Sequence, residues 1–161
     1  MRIRSVIRKK DRAEAIPEYR ELAREAEVDG MVITEKTYVE QAEVAIKKHK
    51  ARKNLRNGRP LPMVTTSKIR NLLAMTTDLY HEVLNSKQEE MCDELKGRVD
   101  YLKVRFVYEA GREPSVRNFV EDADILSCIQ EIGNSRKQYL LFSHYMEALV
   151  AYHKFYGGRE S

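Results

Sequence analysis

"TTSKIRNLLAMTTDLYHEVLN", residues 65–85, decides the fold. Ile69, Leu72, Leu73, Thr76, Leu79, Tyr80 and Val83 recur three and four positions apart, and at about 100° per residue they fall within roughly 120° of one another. That stripe is the buried face of an amphipathic helix beginning at Thr65 or Thr66. The first turn of this helix is unusual. Unpaired amides and aligned peptide dipoles make a helix start partly positive, so acids are the stabilising choice there. Lys68 and Arg70 flank the stripe on opposite sides instead. They oppose the helix unless an anion reaches them.

Working outward, the same three-and-four spacing recurs along the chain, with only 7 Gly and 4 Pro to interrupt it. A first helix is expected over about 11–28, with Pro17 as an interruption and Asp29-Gly30 as the stop. A second follows Thr34 and runs to Asn57-Gly58. "GRPLPMV", 58–64, is a loop, because two prolines remove amide donors. After the 65–85 helix another is expected over about 87–110, stopped by Gly111. Within it "YLKVRFVYEA" alternates like a strand, but Met91, Leu95, Val99, Leu102 and Phe106 form a longer helical stripe, which favours helix. A helix initiated by Pro114 carries Val116, Phe119, Val120, Ala123, Leu126 and Ile129 to Gly133. The last starts at Asn134 or Ser135 and ends before Gly157-Gly158. No internal repeat stands out. The expectation is an all-α bundle of about five to six helices. Residues 61–161 form its core, and residues 1–60 a charged helical N-terminal extension.

Charge is arranged in blocks. Residues 13–45 hold nine acids against three Lys/Arg, whereas residues 46–70 hold nine Lys/Arg and no acid. Twenty-five residues without an acid suit a polyanionic partner, although a solvated face is the plainer reading of any one block. The run "KKHKARKNLRNGR", 47–59, has seven cations, among them Lys53 and Arg56 as candidate contacts; on a helix these would spread around the cylinder. No apolar run reaches the ~20 residues of a membrane span, and the N-terminus lacks the apolar core of a secretory signal. Two cysteines without paired spacing fit a reducing compartment, so a cytoplasmic protein is expected.

Candidate chemistry is one-sided. Arg98, Tyr101, Arg105 and Tyr108, with Arg112 beyond, follow spacings of three and four and line up along one side of their helix. Guanidinium groups meet phosphates in a bidentate way and rings pack on riboses or bases, so this pattern suits nucleic acid; pairing with Glu94, Asp100 or Glu109 is the plainer alternative. His49, His81, His144 and His153 have no metal-binding spacing and read as structural or surface residues. The acids of "EDAD", 121–124, read as a solvated face. No Gly-rich phosphate loop or nucleophile elbow is present, so neither catalysis, nor a metal, nor a cofactor is expected.

"TTSKIRNLLAMTTDLY" at 65–80 and "LKVRFVYEAGRE" at 102–113, followed by "VRNFVEDADIL", together resemble the small helical subunit of type III-A CRISPR effector complexes, the second member of the Csm subunit series. The resemblance spans about residues 62–156. It implies a non-catalytic protein, present in several copies, that lines the guide RNA–target RNA duplex in antiviral defence. Its neighbours would be the backbone subunits and the large polymerase/nuclease subunit. The basic positions matching the family are Lys68 and Arg70 in the first segment and Lys103, Arg105 and Arg112 in the second. The rival reading is a protein scaffold whose charge blocks dock partner subunits without touching RNA.

Overall fold

A computed structural model describes residues 32–158. Among them six helices form: α1 (Tyr38–Lys50), α2 (Thr66–Ser86), α3 (Asp93–Arg112), α4 (Pro114–Asp122), α5 (Ile125–Ile132) and α6 (Arg136–Phe155). No strand forms among the described residues, only isolated bridges between Lys53 and Pro60 and between Glu90 and Ser135. The expected helix over 11–28 lies outside the described residues.

Helix α6 is the hub. Tyr139, Phe142, Tyr145, Met146 and Leu149 are buried, and the helix packs against α2 and α1 and, less extensively, α5, while α3 packs mainly on α4. The stripe read on residues 65–85 is the buried face of α2, with Ile69, Leu72, Thr76, Leu79 and Val83 in the core and Leu73 and Tyr80 at its edge. Thr65 caps that helix, its hydroxyl accepting from the Lys68 amide at 3.4 Å, and Ser135 caps α6 through the Gln138 amide at 3.2 Å. In α1, Ala42, Ala45, Ile46 and His49 are buried, so the charged segment 38–50 presents one face to this same core.

Three helix boundaries differ from expectation. Helix α1 ends at Lys50 rather than near Asn57. Beyond it Asn54 Oδ1 accepts from the Arg56 amide and Asn57 Oδ1 from the Arg59 amide, so side chains supply the turn bonds that a helix would have made. Helix α3 begins at Asp93, not near 87, because Lys87 takes the left-handed conformation at φ 59° and residues 89–91 pair with 134–136. It also runs through Gly111 to Arg112. The stop is set by Glu113, extended at ψ 124° as the residue before Pro114 must be.

The expected single helix from Pro114 to Gly133 is two, broken at Ala123 and Asp124. The Tyr145 hydroxyl donates to the Ala123 carbonyl at 2.9 Å, pairing a group that a continuous helix would have paired itself. The break leaves Ile125, Cys128, Ile129 and Ile132 all buried on α5. Burial pushes the Cys128 thiol up to about 12, as suits an inert core cysteine.

One cross-brace fixes where α2 begins. The Val64 amide donates to His49 Nε2 at 2.9 Å, and the Val64 carbonyl accepts from His153 Nε2 at 2.6 Å. His49 therefore carries its proton on Nδ1 and donates it to Asp122 at 3.0 Å. Arg52 closes the network on Asp122 and Glu121, both at 3.0 Å. Burial pushes the Asp122 carboxyl up, but hydrogen bonds from His49 and Arg52 outweigh it and hold the group below its ordinary range. The expectation of a solvated "EDAD" face is thus corrected at Asp122, whose side chain is 6% exposed. Both histidines are structural, as their spacing suggested.

Candidate nucleic-acid interface

The second pattern on α3, beside the core stripe, rests on a direct heptad repeat, which corrects the expectation that the chain holds no internal repeat. "LKGRVDY" at 95–101 is followed directly by "LKVRFVY" at 102–108, placing Leu, Lys, Arg and Tyr at the same positions of each. Seven residues are two helical turns less about 20°, so a heptad repeat holds each residue type in a nearly straight row. Leu95, Val99, Leu102 and Phe106 form the buried row. Gly97, Tyr101, Val104, Tyr108 and Gly111 form an exposed row on the opposite face, with Tyr101 64% and Tyr108 62% exposed. Arg98, Arg105 and Arg112 form a third, facing α2, with steps of about 10.5 Å along the axis.

Between α2 and α3 this arginine row lines a groove made of two adjoining hollows, of about 340 and 250 Å³. Lys68, Arg105, Glu109 and Arg112 line the first; Arg98, Tyr101 and Leu102 line the second; Met75, Asp78 and Arg105 belong to both. The structure therefore gathers five of the expected site residues, Lys68, Arg98, Tyr101, Arg105 and Arg112, along one groove. Tyr108 sits beside them, its ring 5.6 Å from the Arg112 guanidinium in a cation–π contact.

The electrostatics of this groove are more balanced than the basic spacing suggested. Lys68 pairs with Glu113, Arg98 with Glu82, and Arg112 with Glu109 at 3.6 Å. The anion that the α2 start requires is therefore supplied by the chain itself, from the residue that ends α3. All three pairs are partly exposed, where an ion pair contributes only about 0–1 kcal/mol, so a phosphate can replace a carboxylate at small cost. Arg105, in the middle of the row, is exposed and has no ion-pair partner among the described residues.

The remaining expected contacts lie elsewhere. Lys103 is two positions from Arg105, hence about 200° around the helix, and donates to Gln130 Oε1 at 3.2 Å beside α5. Arg70 is exposed but does not line the groove. Lys53 and Arg56 belong to the turn after α1, around a separate hollow that also holds Arg52 and Asp122. These ten residues consequently do not make one surface.

Comparison with known proteins adds a family. Residues 47–159 match the family described as Csm2 type III-A. The chain is 41% identical over 129 residues to the CRISPR system Cms protein Csm2 of Streptococcus thermophilus, covering 80% of this chain and 98% of the relative. It is also 41% identical over 125 residues to the protein of the same name from Mycobacterium tuberculosis (strain ATCC 25618 / H37Rv), covering 78% of this chain and 95% of that one. With the Csm2 of Enterococcus italicus the identity is 42% over 95 residues, 58% of this chain and 68% of the relative.

Proposed function

Because the chain belongs to the Csm2 type III-A family, we propose that it is a non-catalytic subunit of the Csm effector complex and binds RNA through the groove between α2 and α3. The carrying observation is the row Arg98, Arg105 and Arg112, repeated every two turns with exposed Tyr101 and Tyr108 alongside. A protein that accepts any guide sequence has to hold the sugar-phosphate backbone, and evenly spaced guanidinium groups do this without reading bases. One such groove binds weakly. Several copies docked on one RNA, beside the backbone subunits and the large polymerase/nuclease subunit, would add avidity. The non-catalytic reading is supported by His49 and His153, whose rings are buried and bonded to Val64. Cytoplasmic placement belongs to the same reading, as that of a subunit of this complex; among the described residues no helix is long and apolar enough to cross a membrane.

Two exposed apolar side chains on α3 favour a second reading. Val104 is 59% and Val107 50% exposed, and side chains of this kind suit a protein partner better than phosphate. In that case α3 docks a neighbouring subunit, and the arginines align it.

Fluorescence anisotropy of the full chain against a guide-length RNA duplex separates the two. The triple variant Arg98→Ala, Arg105→Ala, Arg112→Ala should weaken binding at least tenfold. It should also flatten the salt slope by about two to three, roughly one per lost phosphate contact. Unchanged affinity and slope, with impaired assembly into the complex, would replace the RNA reading by the docking one.

A further inference from the structure

The basic run after residue 46 was left without a role by the groove, and the structure gives part of it one. Lys47 and Lys50, one turn apart in the last turn of α1, place their ammonium groups 5.7 and 5.9 Å from the centroid of the Tyr156 ring. Tyr156 lies at the end of α6, nearly parallel to Tyr152 at 6.3 Å and 21°, and meets Phe155 edge-on at 5.1 Å. Its hydroxyl donates to Glu43 Oε1 at 2.6 Å, and Lys47 reaches the same carboxylate at 3.3 Å, so Tyr156 is held in place. Phe155 is 77% exposed.

Lysines in a last turn are what the helix dipole asks for, so the charge alone argues nothing. The rings are different. A phenylalanine that is 77% open to water adds little to the core beyond its edge contact with Tyr156, and that tyrosine already carries two cations. Cationic edges around an open aromatic face are the equipment for unpaired nucleic acid, because bases stack on rings while phosphates meet the ammonium groups. A duplex hides its base faces except at its ends, so this surface suits a single strand.

We propose that Phe155, Tyr156, Lys47 and Lys50 form a second RNA-binding surface, for an unpaired segment whose base stacks on Phe155. It is separate from the α2/α3 groove but shares its end of the bundle, since the start of α2, with Lys68, meets the last turns of α1 and α6 at Val64. The ligand class rests on the RNA reading above; the surface does not.

The test is anisotropy of the full chain with oligouridine of about twenty nucleotides and, separately, a blunt RNA duplex of equal length. Phe155→Ala should weaken oligouridine binding about tenfold, the range for one lost stacking contact, and leave duplex binding unchanged. Phe155→Trp should restore it. The double variant Lys47→Ala, Lys50→Ala should weaken oligouridine binding and make it less salt-dependent. If Phe155→Ala matches wild type on oligouridine, or loses duplex and single strand equally, this surface is not a stacking site. Should the groove variants lose duplex binding while Phe155→Ala changes nothing, the proposal fails and the groove reading survives. The reverse pattern removes the groove and leaves this surface.

Discussion

Replacing His153 by alanine should lower stability by about 3–5 kcal/mol, because it removes two things at once. The Val64 carbonyl loses its donor inside the protein, an unmet buried group that costs about 1–3 kcal/mol. A ring that is 0% exposed leaves a void of its own size, adding about 2 kcal/mol or more. For a domain of this size each kcal/mol shifts Tm by about 3–4 °C, so thermal unfolding followed by circular dichroism at pH 7.5 should drop by roughly 10–20 °C. His153→Gln, whose amide can donate to the same carbonyl, should recover about half of the loss. The pH profile adds an independent check. Burial, followed by the proximity of His49 and Lys154, holds the His153 pKa below the ordinary 6.5, against the opposing pull of the Val64 carbonyl. The unfolded chain therefore takes up this proton more readily than the folded one. Stability should be full above pH 6.5 and fall as pH drops below it, and the decline should be shallower in His153→Gln. A Tm loss under about 4 °C for His153→Ala would refute the cross-brace as the anchor of α2.

Gly158 approaches His153 so closely that an added Cβ would stand 2.1 Å from the ring Cε1; Gly158→Ala should therefore cost about 1–3 kcal/mol in urea unfolding, and a neutral result would show that the ring has room to move. Tyr145→Phe strips the donor from the Ala123 carbonyl at the α4–α5 break and should cost about 1–2 kcal/mol by the same measurement, with faster amide exchange in α5 as the sign that the break itself has loosened. Asp122→Asn weakens the bonds from His49 and Arg52 and should cost roughly 2 kcal/mol at neutral pH. Since the folded Asp122 pKa lies below its ordinary 3.8, the wild-type contribution is fully present above 3.8 and is lost as pH falls from there through the lower folded value, so acid titration of the two proteins should converge at low pH.

The helices were legible because each buries one stripe, and a stripe is a local property. Ile69 to Val83 on α2 and Leu95 to Phe106 on α3 could be read from spacing alone. The interruptions were not, since their causes lie far along the chain. The end of α4 depends on a tyrosine hydroxyl 22 residues on, and the position of α2 on two histidines that belong to α1 and α6. The start of α3 was misplaced because residues 89–91 find backbone partners at 134–136, which no window around residue 87 contains.

The candidate site was legible along α3, where Arg98, Tyr101, Arg105 and Tyr108 follow one side, and illegible across helices, where Lys68 joins the groove while Arg70, Lys103, Lys53 and Arg56 do not. The spacing of Arg98, Tyr101, Arg105 and Tyr108 places them along one side of α3, but spacing alone does not show that Tyr101, Val104 and Tyr108 form an exposed row apart from the arginines. The same rotation separates cations that are near neighbours in sequence: 200° parts Lys103 from Arg105, whereas 700° returns Arg112 to within about 20° of Arg105. Pairing was less legible still. Lys68 opposes its own helix only while α2 is considered alone; once Pro114 forces Glu113 out of α3, that carboxylate reaches the Lys68 ammonium. The conflict that pointed to an external anion is thus already relieved within the fold. Of the groove arginines Arg105 alone has no carboxylate partner among the described residues, so the reason to expect phosphate shifts from the start of α2 to the middle of α3. It follows that Arg105→Ala should cost more RNA affinity than Lys68→Ala, because only Lys68 has a carboxylate to give up before it can bind.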